Sequence, residues 1–123
     1  MADMAAHRIL VVDDDALILD AISRMLMHIG YEVLTAAGPR QALEIIRNST
    51  PIHLVLADFL LPEMEGAQLI REVVQFSPRT VSVLMTGYVH NVADVPDDVL
   101  LLRKPFTREK LITAVQTALA RSV

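Results

Sequence analysis

Five short aliphatic runs alternate with stretches of helical periodicity along this chain, and this alternation limits the fold more than any other feature. The first run, Ile9 to Val12, contains no polar residue, which is typical of a strand buried on both faces. The runs predict strands at residues 8–12, 32–36, 53–57, 80–85 and 100–103. Strands that alternate with helices form a parallel sheet with helices on both faces, so we expect a doubly wound α/β fold. Right-handed crossovers leave few topologies open.

The stretches between the runs predict helices at residues 16–29, 38–48, 65–76 and 107–121. Gly30 is placed to end the first of them. Its apolar stripe consists of Ile18, Ile22, Met25 and Ile29. The third and last helices are expected to direct their apolar residues inward, namely Leu69, Ile70, Val73, Val74, Leu111, Val115, Ala118 and Leu119. Residues 89–99 include Pro96 and three acidic side chains, and they leave room for about one helical turn.

Composition excludes several classes of function. The chain has 123 residues, which is the size of one domain, and 53% of them are hydrophobic, which is enough for a core. A net charge of -4 and an aromatic content of 4% argue against a nucleic-acid surface. Without cysteine there is neither a disulfide nor a thiolate metal site. With no long apolar run and no signal peptide, we expect a cytoplasmic protein that does not contact a membrane.

Polar residues interrupt or follow the predicted strands at their carboxyl ends. Asp13, Asp14 and Asp15 follow the first strand, and Asp58, Thr86 and Lys104 follow the third, fourth and fifth. In an open α/β sheet these ends form one edge, where ligands bind at the point at which the strand order reverses. We therefore expect these side chains to converge on one site.

The chemistry of these residue types points to phosphoryl transfer. Carboxylates held close together repel one another, and a hard cation such as magnesium, which prefers oxygen ligands, relieves that repulsion. Lys104 supplies a positive charge and Thr86 a hydroxyl, both suited to phosphoryl oxygens. An aspartate in such surroundings is a good phosphoryl acceptor. Asp15 fits equally well a simple role as the N-cap of the first helix.

Four motifs resemble those of the response-regulator receiver domain of two-component signalling. They are Val11-Val12-Asp13-Asp14-Asp15, Asp58-Phe-Leu-Leu-Pro62-Glu-Met-Glu-Gly66, Met85-Thr86-Gly87 and Lys104-Pro105-Phe106. The resemblance spans residues 8–121 and implies a flavodoxin-like sheet in the order 2-1-3-4-5. It implies a single receiver domain over residues 1–123, which acts as a signalling domain of a two-component or phosphorelay system and not as an enzyme.

The resemblance also assigns roles to individual residues. Asp58 is implied to accept a phosphoryl group from a phosphohistidine on a sensor histidine kinase or a histidine phosphotransfer protein. Thr86 and Lys104 are implied to contact that group, and the Lys104-Pro105 peptide bond to be cis. The implied ligands of Mg2+ are Asp13, Asp14, Asp58 and the backbone carbonyl of Leu60.

Two features depart from the family pattern. Leu101 occupies a position on the fifth strand where the family often has an aromatic residue, and the nearest aromatic, Tyr88, fits either a gate over the site or a surface tyrosine. The segment between Thr86 and Lys104 is short, so we expect a shortened fourth helix between the fourth and fifth strands, ahead of the helix at residues 107–121. The family's dimer face would then be reduced, which favours a monomer or a weak dimer.

The partner surface is predicted on the first helix. Leu17, Ala21 and Met27 lie away from its apolar stripe, with Arg24 and His28 nearby, and this patch fits either the docking of a four-helix phosphotransfer bundle or scattered surface hydrophobes. His53, at the start of a strand, is expected to be structural.

Two other functions stay open at this point. A small magnesium-dependent phosphohydrolase would use the spacing of Asp13 and Asp15, but it would leave Asp58 unexplained. An interaction module that works without phosphorylation would not need the acidic residues. The chain fits both a stand-alone regulator and one domain of a longer protein.

Overall fold

The fold is described here from a computed structural model that covers residues 7–49, 51–87 and 95–121. The elements in chain order are β1 (Arg8–Val12), α1 (Ala16–Ile29), β2 (Glu32–Ala36), α2 (Pro39–Asn48), β3 (Leu54–Asp58), α3 (Gly66–Phe76), β4 (Val81–Thr86), β5 (Leu100–Arg103) and α4 (Arg108–Ala120). The strands are parallel and form one sheet in the order β2-β1-β3-β4-β5. The predicted fold class is confirmed, and each element begins and ends within one residue of its predicted bounds.

The sheet is covered on both faces, which explains the aliphatic character of its central strands. Leu10 and Val12 of β1 pack with α2 and α3, whereas Ile9 and Val11 pack with α1 and α4. All four side chains are fully buried, and burial of each contributes about 1.5–3 kcal/mol to stability. Successive residues of a strand point to opposite faces, so a strand with helices on both sides must be apolar throughout.

Helix α1 begins and ends as expected, but its buried face differs from the prediction. The Asp15 carboxylate accepts hydrogen bonds from the backbone N–H groups of Leu17 (2.9 Å) and Ile18 (3.4 Å), and Gly30 ends the helix with a φ of 116°. The residues that α1 buries are Ile22, Ser23 and Leu26. Ile29 is 40% exposed, so its place in the core stripe was wrong.

The physical reason is a rotation of the helix about its axis. With 3.6 residues per turn, the predicted stripe lies roughly 50° around the helix from the face centred on Ile22 and Leu26. Ile18 and Met25 are half-buried at the edge of the core and line an open groove. In α3, Val74 is likewise exposed and does not point inward as predicted, while Leu119 of α4 is half-buried against the core.

The connection between β4 and β5 is described only in part. The segment 89–99 was expected to hold about one helical turn; its described part, residues 95–99, forms turns and bends. The rest of that segment and Tyr88 lie outside the described residues. Leu101 is on β5 and is 44% exposed. No helix in the described part of the chain is long and apolar enough to cross a membrane.

Candidate functional site

The pairing of neighbouring strands brings the predicted site residues to one edge of the sheet. Val12 of β1 pairs with Ala57 of β3, so the residues that follow, Asp13 and Asp58, are neighbours. Asp58 in turn pairs with Met85, the residue before Thr86 on β4. Lys104 follows β5, and its backbone N–H donates to the carbonyl of Thr86 at 2.7 Å. Residues from β1, β3, β4 and β5 therefore meet at the carboxyl ends, as the sequence predicted.

Three carboxylates and one ammonium form the centre of this site. Asp13, Asp14 and Asp58 each offer one oxygen, and these oxygens lie within 4.8 Å of one another. The Lys104 Nζ is 3.3 Å from Oδ1 of Asp58 and 3.7 Å from Oδ2 of Asp13. Asp13 is only 1% exposed, Asp58 is partly buried and Asp14 is exposed. One ammonium is thus shared by two carboxylates, and the cluster retains an excess of negative charge.

Asp13 is the most buried of the three carboxylates. Burial raises the pKa of its carboxyl above the ordinary value, the hydrogen bond from the backbone of Asp15 opposes that shift, and the charge of Asp58 adds to it. Its Oδ1 accepts the Asp15 N–H at 2.9 Å. Its Oδ2 is buried and has no hydrogen-bond partner in the part of the chain that the structure describes. A buried charged oxygen without such a partner favours a cationic ligand at this position.

Gly66 holds helix α3 against the acceptor strand, a role that sequence analysis missed. A Cβ at this position would collide with the backbone carbonyl oxygen of Asp58 and lie 2.8 Å from Cδ2 of Leu84. The Gly66 N–H also donates to the carbonyl of Phe59 at 2.7 Å, which closes the loop after β3. Gly66 stands in a quoted motif, so the signal was present, but the close approach depends on how α3 packs.

The remaining predicted residues have distinct places. Asp15 is an N-cap, because its carboxylate is bonded to the helix amides, and it is not among the clustered carboxylates. The Leu60 side chain is exposed, and its backbone forms an isolated bridge to Glu65 in the loop beside Asp58. Thr86 is buried at the end of β4. The Lys104-Pro105 peptide bond is cis, as the resemblance implied.

His53 is structural, as expected. Its Nδ1 accepts the backbone N–H of Arg8 at 2.9 Å, which extends the contact between the starts of β1 and β3. Burial, with the nearby charges of His7 and Arg8, lowers the pKa of His53, and this favours the neutral form that can accept this bond.

The fold and the site together define a class of protein. It is a parallel α/β domain with an acidic pocket at the carboxyl ends of β1 and β3. The sequence model of the response regulator receiver domain matches residues 9–116. The chain belongs to this family of two-component signalling domains.

Individual relatives and structures agree with this assignment. The transcriptional regulatory protein GlrR of Escherichia coli (strain K12) is 30% identical over 99% of this chain and 28% of GlrR. The sensor kinase CckA of Brucella abortus (strain 2308) is 32% identical over 95% of this chain and 13% of CckA. A CheY-like receiver domain protein from Methanospirillum hungatei JF-1 has 31% identity and a TM-score of 0.86, over 95% of this chain and 96% of that one. The chain therefore spans less than a third of either of the two relatives.

We predict that Asp13→Asn stabilises the protein in a chelator-containing buffer at neutral pH. The substitution removes a buried charge but keeps an oxygen for the Asp15 N–H. Because the folded state raises the pKa of Asp13, the charged form costs stability at neutral pH, and the advantage of the variant should shrink as pH falls through that pKa. Thermal unfolding at several pH values measures this. Asp97→Asn, at an exposed aspartate outside the cluster, should change the unfolding free energy by less than about 0.5 kcal/mol. A less stable Asp13→Asn variant at neutral pH would contradict the electrostatic account.

Proposed function

We propose that Asp58 accepts a phosphoryl group from a phosphohistidine of a sensor histidine kinase or a histidine phosphotransfer protein. The observation that carries the proposal is the 3.3 Å contact between Asp58 and Lys104 inside the carboxylate cluster of a receiver-family chain. The contact keeps a cation beside the acceptor carboxylate, where phosphoryl oxygens would be received. As a signalling domain, the chain would promote only its own phosphorylation and dephosphorylation.

The same site fits Mg2+. Three carboxylate oxygens lie close together, and the buried Oδ2 of Asp13 is without a hydrogen bond among the described residues. Hard oxygen donors of this kind suit Mg2+, which usually keeps waters and a phosphate oxygen among its ligands. The residues that would hold it are Asp13, Asp14, Asp58 and the backbone carbonyl of Leu60. When bound, Mg2+ would neutralise charge on the carboxylates and on the transferred group.

In the transfer step, a carboxylate oxygen of Asp58 attacks phosphorus and forms an acyl phosphate. The P–N bond of the donor breaks at the same centre, and the imidazole nitrogen leaves with the electron pair. The Lys104 ammonium, already beside Asp58, can pair with a phosphoryl oxygen, and the hydroxyl of Thr86 can donate to another. These groups act by positioning and charge neutralisation, and a carboxylate nucleophile has no proton for a general base to remove.

Phosphorylation would be transmitted through the ends of β4 and β5. The phosphoryl group adds about -1.5 to -2 charges and three acceptor oxygens at one point. The Lys104 N–H to Thr86 carbonyl hydrogen bond joins the two residues that would reorganise around it, and Gly87 begins the connection that follows. To shift the populations of two conformations from about 1:99 to 99:1, phosphorylation would have to change their free-energy difference by roughly 5.5 kcal/mol.

A groove beside Lys104 supports a docking role for α1. It has a volume of about 550 Å³, and it is lined by Ile18, Ala21, Ile22, Met25, Gly87, Lys104, Pro105 and Phe106. Leu17 is 82% exposed at the start of the same helix. Ala21 of the predicted patch lines the groove, whereas Met27 does not, and Arg24 is exposed and paired with Asp20 at 3.0 Å. An apolar groove next to the acceptor fits an amphipathic helix that presents a phosphohistidine.

We predict that Asp58→Asn abolishes phosphorylation by acetyl phosphate in the presence of Mg2+. The amide keeps the shape of the side chain but is too weak a nucleophile to form the acyl phosphate. Intact-protein mass spectrometry measures incorporation, with Asp97→Asn as the matched control that should be labelled like the wild type. Removal of Mg2+ by a chelator should suppress labelling of the wild type. Equal labelling of Asp58→Asn would contradict the assignment.

We also predict that Ala21→Glu slows phosphotransfer from a phosphorylated histidine phosphotransfer protein by roughly tenfold or more, as expected when an apolar contact is replaced by a charge. Labelling by acetyl phosphate should stay unchanged, since the small donor needs no docking surface. Met27→Glu lies on the same helix but outside the groove and should transfer at the wild-type rate. Equal slowing by both substitutions would show that the groove is not the docking site.

A further inference from the structure

His53 joins the amino ends of β1, β3 and β4, on the edge of the sheet opposite the carboxylates. Its backbone N–H donates to the carbonyl of Arg8 at 2.9 Å, and its carbonyl accepts the N–H of Val81 at 3.0 Å. Its ring also takes part, because Nδ1 accepts the backbone N–H of Arg8 at 2.9 Å. A side chain therefore makes a contact between two strands that backbone carbonyls make within the sheet itself.

The bond to the ring is the only one of these three that a proton can remove. Nδ1 carries no proton while it accepts the N–H of Arg8, so the ring of His53 is in the neutral form with its proton on Nε2. Uptake of a proton would make both ring nitrogens donors. Two N–H groups would then face each other, and the ring could stay in place only if the strand ends moved apart.

The charged and titratable groups around His53 add to the cost of a protonated ring. The His7 ring lies 5.1 Å from the His53 ring, centroid to centroid, and a proton on each would place two positive charges side by side. The Arg8 guanidinium is close as well, although it is paired with Glu32 at 2.9 Å. Tyr31 lies on the far side of His7, with ring centroids 6.4 Å apart. A cleft of which His53 forms part is also lined by three charged side chains, those of Arg79, Asp98 and Arg121.

We propose that His53 is a pH-sensitive switch at the amino edge of the sheet. Neutral His53 holds the start of β1 to the start of β3 through the N–H of Arg8, and protonated His53 releases that N–H and loosens both strand ends. The clustered carboxylates lie at the other edge of the sheet, so this switch is independent of phosphoryl transfer to Asp58.

The lowered pKa of His53 fixes the direction of the effect on stability. Burial is the first cause of the shift from the ordinary value of 6.5, and the charges of His7 and Arg8 add to it. The contribution of the neutral ring is therefore fully present above pH 6.5 and is lost as pH falls through the lower pKa of the folded state. The raised pKa of Asp13 acts in the opposite direction, so a local measurement at Arg8 is needed.

The test is amide hydrogen exchange of the whole chain, followed by NMR between about pH 7 and pH 5 and corrected for the intrinsic exchange rate. In the wild type, protection of the Arg8 amide should fall roughly fivefold to tenfold over this range, as expected for the loss of one hydrogen bond. His53→Asn keeps an acceptor oxygen near the position of Nδ1 but does not titrate, so protection should change by less than about twofold. His28→Asn is the matched control: His28 is exposed on α1, and its replacement should leave the pH dependence at Arg8 as in the wild type.

The nitrogen chemical shifts of the imidazole rings provide a second measurement that needs no variant. At neutral pH the wild-type His53 should carry its proton on Nε2, and it should titrate below 6.5. Three results would overturn the proposal. They are a proton on Nδ1 of His53 at neutral pH, protection of Arg8 in the wild type that does not change with pH, and an equal loss of protection in the wild type and His53→Asn. Labelling of His53→Asn by acetyl phosphate should match the wild type, and a lower yield would contradict the independence of the two edges.

Discussion

The parallel pairing of β1 with β3 is the constraint on which the site depends. The register that places Val12 beside Ala57 also places the next residues, Asp13 and Asp58, side by side. Two carboxylates repel each other there, and the repulsion is tolerated because the strands that carry them are buried on both faces. A shift of one residue in this register would turn the aliphatic side chains of a strand to the wrong face and separate the acids. Apolar packing and the acidic site therefore require the same pairing.

Lys104 links the charges of the site to the neighbouring ends of β4 and β5. Its ammonium lies between Asp13 and Asp58, and its backbone N–H is bonded to Thr86. A new charge on Asp58 would act on both groups at once, and so on the ends of β4 and β5. Leu101, at the position on β5 where the resemblance implied an aromatic residue, is exposed, so a packing change there on phosphorylation would involve an aliphatic side chain.

The sequence was sufficient for those parts of the structure that depend on local pattern. The strand and helix bounds follow from periodicity and capping, and the convergence of Asp13, Asp58 and Lys104 follows from parallel topology. The rotation of α1 was not predictable, because Ile18 and Met25 are as apolar as Leu26 and only tertiary packing decides which of them is fully buried. The apolar stripe that periodicity detected lines the groove beside Lys104 and also borders the core.

Packing also decided the features that sequence analysis left open or missed. Asp15 could be separated from the acidic cluster only by its hydrogen bonds to the helix amides. The closeness of Gly66 to Asp58 depends on how α3 packs against β3, which a residue pattern does not encode. The segment between β4 and β5 was expected to hold only a shortened helix, and its described part, residues 95–99, consists of turns and bends.

Direct identification of the phosphorylated residue tests the central claim most sharply. Borohydride reduces an acyl phosphate to an alcohol, so a phosphorylated aspartate becomes homoserine and can be located by peptide mass spectrometry. After treatment with acetyl phosphate and Mg2+, the account predicts homoserine at Asp58 and at no other acidic residue. Homoserine at Asp13 or Asp14, or incorporation of phosphate without any homoserine, would contradict it.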